Sequence, residues 1–237
     1  MTKFKSLGKR LLSAAGYDIR TKQPAGGHLR AIGRQDEVFA DFRARGFSPS
    51  LIFDVGAADG TWTDAVQPIF PQARFVLVEP RRTAREPTVR AAIGSREGTA
   101  TLTDWDTGST LLPVDPAQGP QHQVRVTTLD RLAEEHGMPD FVKLDVEGFE
   151  LEALRGAGSL FGRTRLFVIE ASMYRFSGRP LLHEVVAFMA ERDYFVYDIA
   201  GYIRRPYDGA IGLMDLCFAQ AALRGSEGEW HARSLAG

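Results

Sequence analysis

Acidic residues accompany four short apolar segments, at positions where the strands of a sheet would end. Asp54 lies in the segment Leu51–Val55, and Glu79, Asp145 and Glu170 each close a segment of the same kind. Ligands of open α/β sheets bind beyond the carboxyl ends of the strands, so we expect these carboxylates to converge on one rim. A single acid at such a place is usually a helix cap or a salt-bridge partner. Four acids on one rim predict a binding edge.

The turn after the first segment has the composition of a ligand-binding loop. Gly56 and Gly60 let the backbone bend tightly and let a ligand lie against it. Glu79 follows Gly56 by 23 residues, where a Rossmann-type domain places the acid that holds ribose hydroxyls. The spacing is Gly-x-x-x-Gly, which lacks the close second glycine of dinucleotide sites. The loop therefore favours a ligand with an adenosine half and an amino-acid half, and a simple tight turn is the alternative.

Alternating apolar and amphipathic segments predict the elements that position these acids. Strands and helices that alternate in units of about 30 residues imply βαβ crossovers and a mainly parallel sheet covered on both faces. Residues 95–127 differ, and predict either a hairpin insertion, with strands near Thr99–Thr103 and Gln123–Thr127, or a mobile loop over the site. The predicted strands are Leu51–Val55, Phe75–Glu79, Val89–Ile93, Phe141–Asp145, Leu166–Glu170, Tyr194–Asp198 and Leu213–Ala219, and the predicted helices cover 34–46, 61–70, 147–156 and 181–192.

Composition narrows the class of protein. The 237 residues include 44% hydrophobic and 25% charged residues, as in soluble globular proteins. The formal net charge of −1 gives no overall field for nucleic acid, so we predict no nucleic-acid partner. Cys217 is the single cysteine; no intrachain disulfide can form, and a reducing, cytoplasmic location is the simplest expectation.

The N-terminal segment departs from this neutral average. Residues 1–34 contain eight basic residues and one acid, Asp18, a net charge of +7. Phe4, Leu7 and Leu11 follow helical spacing with basic residues between them. One hypothesis is that residues 1–20 form a helix that rests on the anionic inner face of a membrane. The alternative is a basic helix that packs on the domain or frays.

Four blocks of sequence resemble a known family. Asp54-Val-Gly-Ala-Ala-Asp-Gly-Thr-Trp-Thr63 is similar to the first motif of class I S-adenosylmethionine-dependent methyltransferases of the FkbM type. Val78-Glu-Pro80 and Thr128-Leu-Asp130 follow in the family's order. The most specific block is Asp140-Phe-Val-Lys-Leu-Asp-Val-Glu-Gly-Phe-Glu150 with Leu154-Arg-Gly-Ala157. The resemblance covers roughly residues 50–220.

The resemblance implies an α/β fold of the class I methyltransferases. This fold is a Rossmann-like three-layer sandwich around a seven-stranded, mostly parallel sheet with an antiparallel last strand. It also divides the chain into a basic helical extension (1–45), an S-adenosylmethionine-dependent methyltransferase domain (46–222) and a C-terminal tail (223–237). The implied reaction is O-methylation, often of a sugar hydroxyl.

The resemblance also implies cofactor residues. Glu79 would hold the ribose diol, and the charged positions Lys143, Asp145, Glu147 and Glu150 would face the reacting centre or brace it. Two departures stand out: Asp59 occupies a position where the family usually has Asn, and Ala92 follows Glu79 by only 13 residues, so the third crossover helix should be abbreviated. The predicted cofactor residues are Asp54, Gly56, Ala57, Asp59, Gly60, Glu79, Pro80, Ala92, Ile93 and Asp145.

A hydroxyl acceptor calls for a group that removes its proton. Asp145 and Glu147 are the first candidates for this general base, and Glu170 and His183 are the second pair. Asp145 could instead cap the helix that follows, and His183 could be an ordinary helix histidine. If a divalent ion such as Mg²⁺ takes part, Asp145, Glu147 and Glu170 are its predicted ligands.

The predicted function is therefore S-adenosylmethionine-dependent O-methyl transfer to a hydroxyl of a sugar, a glycoconjugate or a related natural product. The expected partner is a small-molecule or glycan substrate, and the sequence leaves open whether the chain is a homo-oligomer. Two alternatives stay open. One is a non-catalytic binding protein that keeps the cofactor fold at a membrane surface, and the other is an NAD(P)-dependent oxidoreductase.

Overall fold

The structure is a computed structural model that describes residues 31–83, 85–104, 108–113, 115, 117, 119–176 and 178–224. The predicted membrane contact of residues 1–20 lies outside the described residues, as does the tail from residue 225 onward. Among the described residues, no helix combines the length and the apolar character that a membrane span requires.

The described residues form nine strands and six helices. The strands are β1 (Leu51–Val55), β2 (Arg74–Val78), β3 (Ala92–Ile93), β4 (Gly98–Thr103), β5 (Gln121–Thr127), β6 (Phe141–Leu144), β7 (Leu166–Ser172), β8 (Phe195–Arg204) and β9 (Ile211–Ala219). The helices are α1 (Gln35–Ala44), α2 (Thr61–Val66), α3 (Leu129–His136), α4 (Glu150–Arg155), α5 (Leu182–Ala190) and α6 (Ala221–Arg224).

Six strands form the main sheet in the order β2-β1-β6-β7-β9-β8. The pairs β1–β2, β1–β6 and β6–β7 are parallel, whereas β9 runs antiparallel to both β7 and β8. The five residues of β1 are all buried, as expected for a strand covered on both faces. The predicted class I methyltransferase fold, with its antiparallel last strand, is confirmed. The main sheet has six strands, however, and not the predicted seven, because the predicted third strand joins it only through a single bridge at Val89.

Helices cover both faces of this sheet, so the domain has three layers. On one face, α1 inserts Val38, Phe39 and Phe42 into a core cluster that also contains Ile52 and Phe141. On the other face, residues of α3, α4 and α5 pack with the opposite side of the same strands. Successive residues of β1 point to alternate faces, which is why neighbouring positions belong to different clusters.

The predicted third strand divides into two parts. Val89 continues the main sheet through a parallel bridge to Val78, and its N–H donates to the carbonyl oxygen of Leu77 at 3.0 Å. The chain then makes a three-residue turn, because the N–H of Ala91 bonds back to the carbonyl oxygen of Val89 at 3.2 Å. This turn carries β3 out of the main sheet and into a second sheet of order β3-β5-β4.

The second sheet contains the hairpin that the sequence predicts. β4 pairs antiparallel with β5 over six residue pairs, from Gly98 with Val126 to Thr103 with Gln121. The described residues between β2 and β3 form no helix, in agreement with the short distance from Glu79 to Ala92. The connection from the main sheet to the second sheet is therefore made without a helix.

Candidate active site

A cavity of about 510 Å³ lies at the carboxyl ends of β1, β2, β6 and β7. Its volume is in the range of pockets that hold small organic ligands. The structure places most of the predicted cofactor residues in its wall, whereas Asp54 and Gly60 are outside the set that lines it. The predicted residues in the wall are Gly56, Ala57, Asp59, Glu79, Pro80, Ala92, Ile93, Asp145, Glu147 and Glu170.

The loop after β1 requires glycine at its first position. Gly56 has a φ of 78°, and its N–H donates to the carbonyl oxygen of Val78 at 2.9 Å. A Cβ atom at this position would lie 1.7 Å from the carbonyl oxygen of Asp145. The loops after β1 and β6 therefore touch through bare backbone, and any side chain at residue 56 would push them apart.

Asp59 folds the end of the same loop against the start of α2. Its Oδ1 accepts hydrogen bonds from Thr61 Oγ1 at 2.6 Å and from the Thr61 N–H at 3.2 Å. These bonds lower the pKa of Asp59, so this acid stays ionised beside the cavity. The carboxylate of Asp59 thus finds its hydrogen-bond donors within the loop itself.

Glu79 is buried at the end of β2, with 4% of its surface exposed. Its Oε2 accepts from the N–H of Ala58 at 2.9 Å, and its Oε1 accepts from the N–H and the Nε of Arg81 at 3.0 and 2.8 Å. A carboxylate has about four lone-pair positions, so these bonds leave room for one ribose hydroxyl. The second hydroxyl of a diol can also bind the Glu79 carboxylate if the Arg81 side chain moves away.

Apolar side chains form the wall beyond Glu79. Ala92 and Ile93 of β3 lie there with Leu102 of β4, Leu111 and Phe149. A flat, largely apolar adenine ring suits such a wall. Strands β3 and β4 of the second sheet thus contribute to this side of the cavity.

A buried lysine links the acids at the ends of β1 and β6. Lys143 Nζ lies 3.0 Å from Asp145 Oδ2 and 3.8 Å from Asp54 Oδ1. Burial by itself would lower the pKa of Lys143, but these two carboxylates raise it above its ordinary value. Asp54 is fully buried and accepts from Thr63 Oγ1 at 2.6 Å, and burial raises its pKa. Asp54 therefore anchors Lys143 below the cavity.

Arg179 performs the same role for the other two predicted catalytic acids. It forms an ion pair with Glu147, and its Nη1 lies 3.1 Å from Glu170 Oε2. Arg179 by itself would lower the pKa of Glu147, but burial of the carboxyl group outweighs it and raises the pKa. Burial and the carboxylates of Asp145 and Glu147 raise the pKa of Glu170 to about 9. Glu170 thus retains its proton at neutral pH, and the sequence had placed it, with His183, after Asp145 and Glu147 among the candidate bases.

Two further acids surround this cluster. Burial raises the pKa of Glu150 to about 7, although its Oε1 accepts from the N–H groups of Gly148 at 3.0 Å and Val146 at 3.2 Å. Burial and the charge of Asp145 raise the pKa of Asp215 to about 6. The region therefore holds more carboxyl groups than Lys143 and Arg179 can neutralise, and some of them keep protons.

His183 is the predicted catalytic residue that the structure places elsewhere. It lies on α5 with an exposed side chain, and it is not part of the cavity wall. The hypothesis of a catalytic His183 is therefore dropped. Conversely, Arg179 and Asp215 belong to the site but were not predicted from the sequence. Asp215 had a signal, an acid inside the apolar strand β9, whereas nothing in the sequence around Arg179 distinguishes it from a surface arginine.

The predicted metal ligands come together, but they already have cationic partners. Oxygen atoms of Asp145, Glu147 and Glu170 lie within 4.8 Å of one another, and carboxylate oxygens are the ligands that Mg²⁺ prefers. Arg179, however, binds Glu147 and Glu170, and Lys143 binds Asp145. The arrangement therefore does not fit a resident divalent ion unless Arg179 moves away.

A model of one protein family matches the part of the chain that builds this cavity. The model is described as a methyltransferase FkbM domain, and it matches residues 54–196, more than half of the chain. The match begins at Asp54 and ends in β8. A search of curated proteins found no significant match.

Structural comparison aligns several solved structures with most of this chain at low identity. The precorrin-6y C5,15-methyltransferase from Geobacter metallireducens aligns over 78% of this chain and 87% of its own, with 13% identity and a TM-score of 0.42. The 1,6-didemethyltoxoflavin-N1-methyltransferase from Burkholderia thailandensis, with bound S-adenosylhomocysteine, aligns over 92% and 89%, with 12% identity and a TM-score of 0.38. The mitomycin 7-O-methyltransferase MmcR aligns over 77% and 53%, with 11% identity and a TM-score of 0.35.

Proposed function

The chain belongs to the FkbM methyltransferase family, and from this premise we propose that it transfers a methyl group from S-adenosylmethionine to a hydroxyl group. The proposed acceptor is a sugar, a glycoconjugate or a related natural product. One observation carries the proposal: a single cavity has a nucleoside-type wall around Glu79 at one end and a cluster of buried carboxyl groups around Asp145 at the other.

The first end has the groups that a nucleoside needs. Glu79 keeps one lone-pair position for a ribose hydroxyl, and the apolar wall at Ala92 and Ile93 suits the base. The loop at Gly56 brings bare backbone against the cavity. These features support binding of S-adenosylmethionine, whose sulfonium methyl group is already activated for in-line displacement by an oxygen nucleophile.

The second end supplies the groups that an acceptor hydroxyl needs. A hydroxyl becomes a better nucleophile as its proton passes to a carboxylate within hydrogen-bond reach. We assign this role to Asp145 or Glu147, which both line the cavity and are held by Lys143 and Arg179. Glu170 keeps its proton at neutral pH and would donate a hydrogen bond to the acceptor. As the new C–O bond formed, the bond from the methyl carbon to the sulfonium sulfur would break, and the acceptor proton would pass to the carboxylate.

Calorimetric titration with S-adenosylhomocysteine tests the donor site without knowledge of the acceptor. We expect micromolar binding, and no binding of NAD⁺ or NADP⁺. Glu79→Gln should weaken binding roughly 10- to 100-fold, the effect of losing a hydrogen bond to a charged group. Glu86→Gln is the matched control, because Glu86 is exposed and pairs with Arg90. Binding of NAD⁺ alone would favour an oxidoreductase, and no binding at all would favour a non-catalytic protein.

The turnover of variants of the two candidate bases tests the acceptor end of the cavity. In a screen of saccharide acceptors that follows release of S-adenosylhomocysteine, Asp145→Asn or Glu147→Gln should lower kcat at least 100-fold while the affinity for S-adenosylhomocysteine stays within a factor of about three. His183→Gln should keep the wild-type rate, because His183 is exposed outside the cavity. Wild-type rates in both acid variants would show that the base is another group.

Magnesium enters the same screen as a separate variable. The carboxylates of Asp145, Glu147 and Glu170 have the right chemistry for Mg²⁺, but Arg179 and Lys143 already bind them. We therefore expect the rate to be the same in Mg²⁺ and in EDTA. A rate that disappears in EDTA and returns with Mg²⁺ would show that an ion displaces Arg179.

A further inference from the structure

Exposed apolar side chains surround the acceptor end of the cavity. They come from the loop after β7 and from the end of the β8–β9 hairpin. Single exposed apolar residues are ordinary, but a contiguous group marks an interaction site. Tyr207 is 90% exposed and Ile203 is 58% exposed. We call this group the aromatic rim: Met173, Tyr174, Phe176, Tyr202, Ile203 and Tyr207.

Contacts join the loop after β7 to the hairpin, whereas Tyr202 lies on the other face of β8 from its neighbour Ile203. The N–H of Met173 donates to the carbonyl oxygen of Gly212 at 2.9 Å. The guanidinium of Arg205 lies 3.7 Å from the ring centre of Tyr174 and 5.7 Å from that of Tyr207. Phe176 and Ile203 also line the cavity, so the aromatic rim continues directly into the candidate active site.

The charge on the aromatic rim is positive. Arg205 is paired with Asp208, and Arg175 is paired with Glu184. Arg204 lies 5.3 Å from the ring centre of Tyr202, and its Nη1 donates to the carbonyl oxygen of Gly209 at 2.8 Å. Among the described residues, no acid forms an ion pair with Arg204. A cation beside exposed tyrosines resembles the layer where a protein meets lipid headgroups.

The composition of the aromatic rim favours lipid over a sugar as its occupant. Apart from the tyrosine hydroxyls, the rim has few free partners for sugar hydroxyls, because its two acids, Asp208 and Glu184, are already held by arginines. Met173, Phe176 and Ile203 offer a sugar no hydrogen bond.

We propose that the aromatic rim docks on an anionic membrane surface, with Tyr207 and Ile203 among the lipid headgroups and Arg204 beside lipid phosphate. Docking holds the cavity mouth against the bilayer. If the proposed function holds, the acceptor hydroxyl therefore belongs to a lipid-anchored molecule, such as a glycolipid. The residues of this surface are not those of the segment 1–20, for which the sequence offers membrane contact as one hypothesis.

The buried position of the single cysteine makes a site-specific test possible. Cys217 has no exposed surface, so a thiol introduced by Tyr207→Cys can be labelled selectively with an environment-sensitive fluorophore. Val196→Cys is the matched control, because Val196 is 40% exposed on the same hairpin strand at its opposite end. Each labelled full-length protein is titrated with vesicles of phosphatidylcholine alone and with 30% phosphatidylglycerol, a proportion of about one anionic lipid in three.

We expect the label at position 207 to shift to the blue and brighten with the anionic vesicles, whereas the label at position 196 stays unchanged. In the unlabelled protein, Tyr207→Ser should lower the vesicle partition constant roughly tenfold, and Arg204→Gln should lower it about fivefold on anionic vesicles only. Val196→Ser should have no effect. Added salt should weaken binding to the anionic vesicles.

Two outcomes would overturn the proposal. Vesicle binding without a change at position 207 would place the contact elsewhere, as on residues 1–20. A change at position 207 that depends on protein concentration and needs no vesicles, together with a dimer in light scattering, would make the partner a second copy. Titration with S-adenosylhomocysteine in vesicle-free buffer separates this proposal from the proposed function: docking without cofactor binding overturns only the function, and cofactor binding without docking overturns only the aromatic rim.

Discussion

Glu150→Gln should change the pH dependence of stability in a direction that the structure fixes. Glu150 is 3% exposed, and burial raises its pKa from 4.5 to about 7. Because the folded-state pKa is the higher one, the folded protein binds the proton more tightly than the unfolded chain. Stability therefore falls as the pH rises from about 4.5 to about 7, and the full deficit is present above pH 7.

The size of this effect follows from the two pKa values. Each unit of pKa corresponds to 1.36 kcal/mol, so ionised Glu150 costs about 3 kcal/mol above pH 7. A glutamine cannot ionise, and its oxygen can still accept from Val146 and Gly148. Its extra amide donor costs about 1 kcal/mol if buried without a partner. We expect Glu150→Gln to be about 2 kcal/mol more stable than wild type at pH 8 and about 1 kcal/mol less stable at pH 4.5.

Urea unfolding of both proteins at several pH values between 4.5 and 8 measures this swing. The comparison cancels the pH dependence of every other group. Glu152→Gln is the matched control on the same helix, because the side chain of Glu152 is 37% exposed and pairs with Arg155. A difference between Glu150→Gln and wild type that is flat over the whole range would refute the reasoning.

Three further variants probe other features of the site and fold. Gly56→Ala should lower the free energy of unfolding by at least about 3 kcal/mol, because its Cβ would meet backbone, whereas Gly162→Ala, with a φ of 80° and nothing within 4 Å, should cost about 1 kcal/mol; equal costs in urea unfolding would contradict the predicted clash. Arg179→Gln should let Mn²⁺ or Mg²⁺ raise the melting temperature through the vacated carboxylates, while wild type shows no shift; a shift in wild type would mean that Arg179 does not exclude the ion. Thr128→Val should lower the free energy of unfolding by about 1 kcal/mol, since Thr128 Oγ1 accepts from the N–H of Arg131 at 3.0 Å; an unchanged urea midpoint would show that this cap is dispensable.

Strands buried on both faces were the most predictable elements. Leu51–Val55 is β1 to the residue, and the predicted strand Phe141–Asp145 is one residue longer than β6. Such strands are short runs of apolar residues that few other structures can accommodate. The hairpin of β4 and β5 was also predicted in outline, although β5 begins two residues earlier, at Gln121.

Elements that depend on turns were less predictable. The predicted helix 61–70 is helical only over Thr61–Val66. Helix α3 was not predicted, although Thr128 and Gly137 flank it as a cap and a stop. The division of the third strand depends on the hydrogen bond between Ala91 and Val89. This bond joins two backbone groups, and no side chain in the segment indicates it.

The site was predictable where its residues follow strands, and not where distant segments meet. The sequence placed Glu79, Asp145 and Glu170 at strand ends, because the carboxyl ends of parallel strands share one edge. Arg179 follows β7 by several residues, and its ion pairs with Glu147 and Glu170 exist only in the folded chain. Residue types alone could therefore not indicate which of these acids keeps its proton.

The position of β9 between β7 and β8 has a consequence for the order of events during synthesis. Within the described residues, β8 is hydrogen-bonded in the main sheet only to β9, which follows it in the chain. Until the ribosome has released Ile211–Ala219, β7 presents an open edge and β8 has no strand to join. Open edges are sites of aggregation. A nascent chain that stalls before residue 211 therefore exposes the edge of β7, and co-translational chaperones would act at this stage.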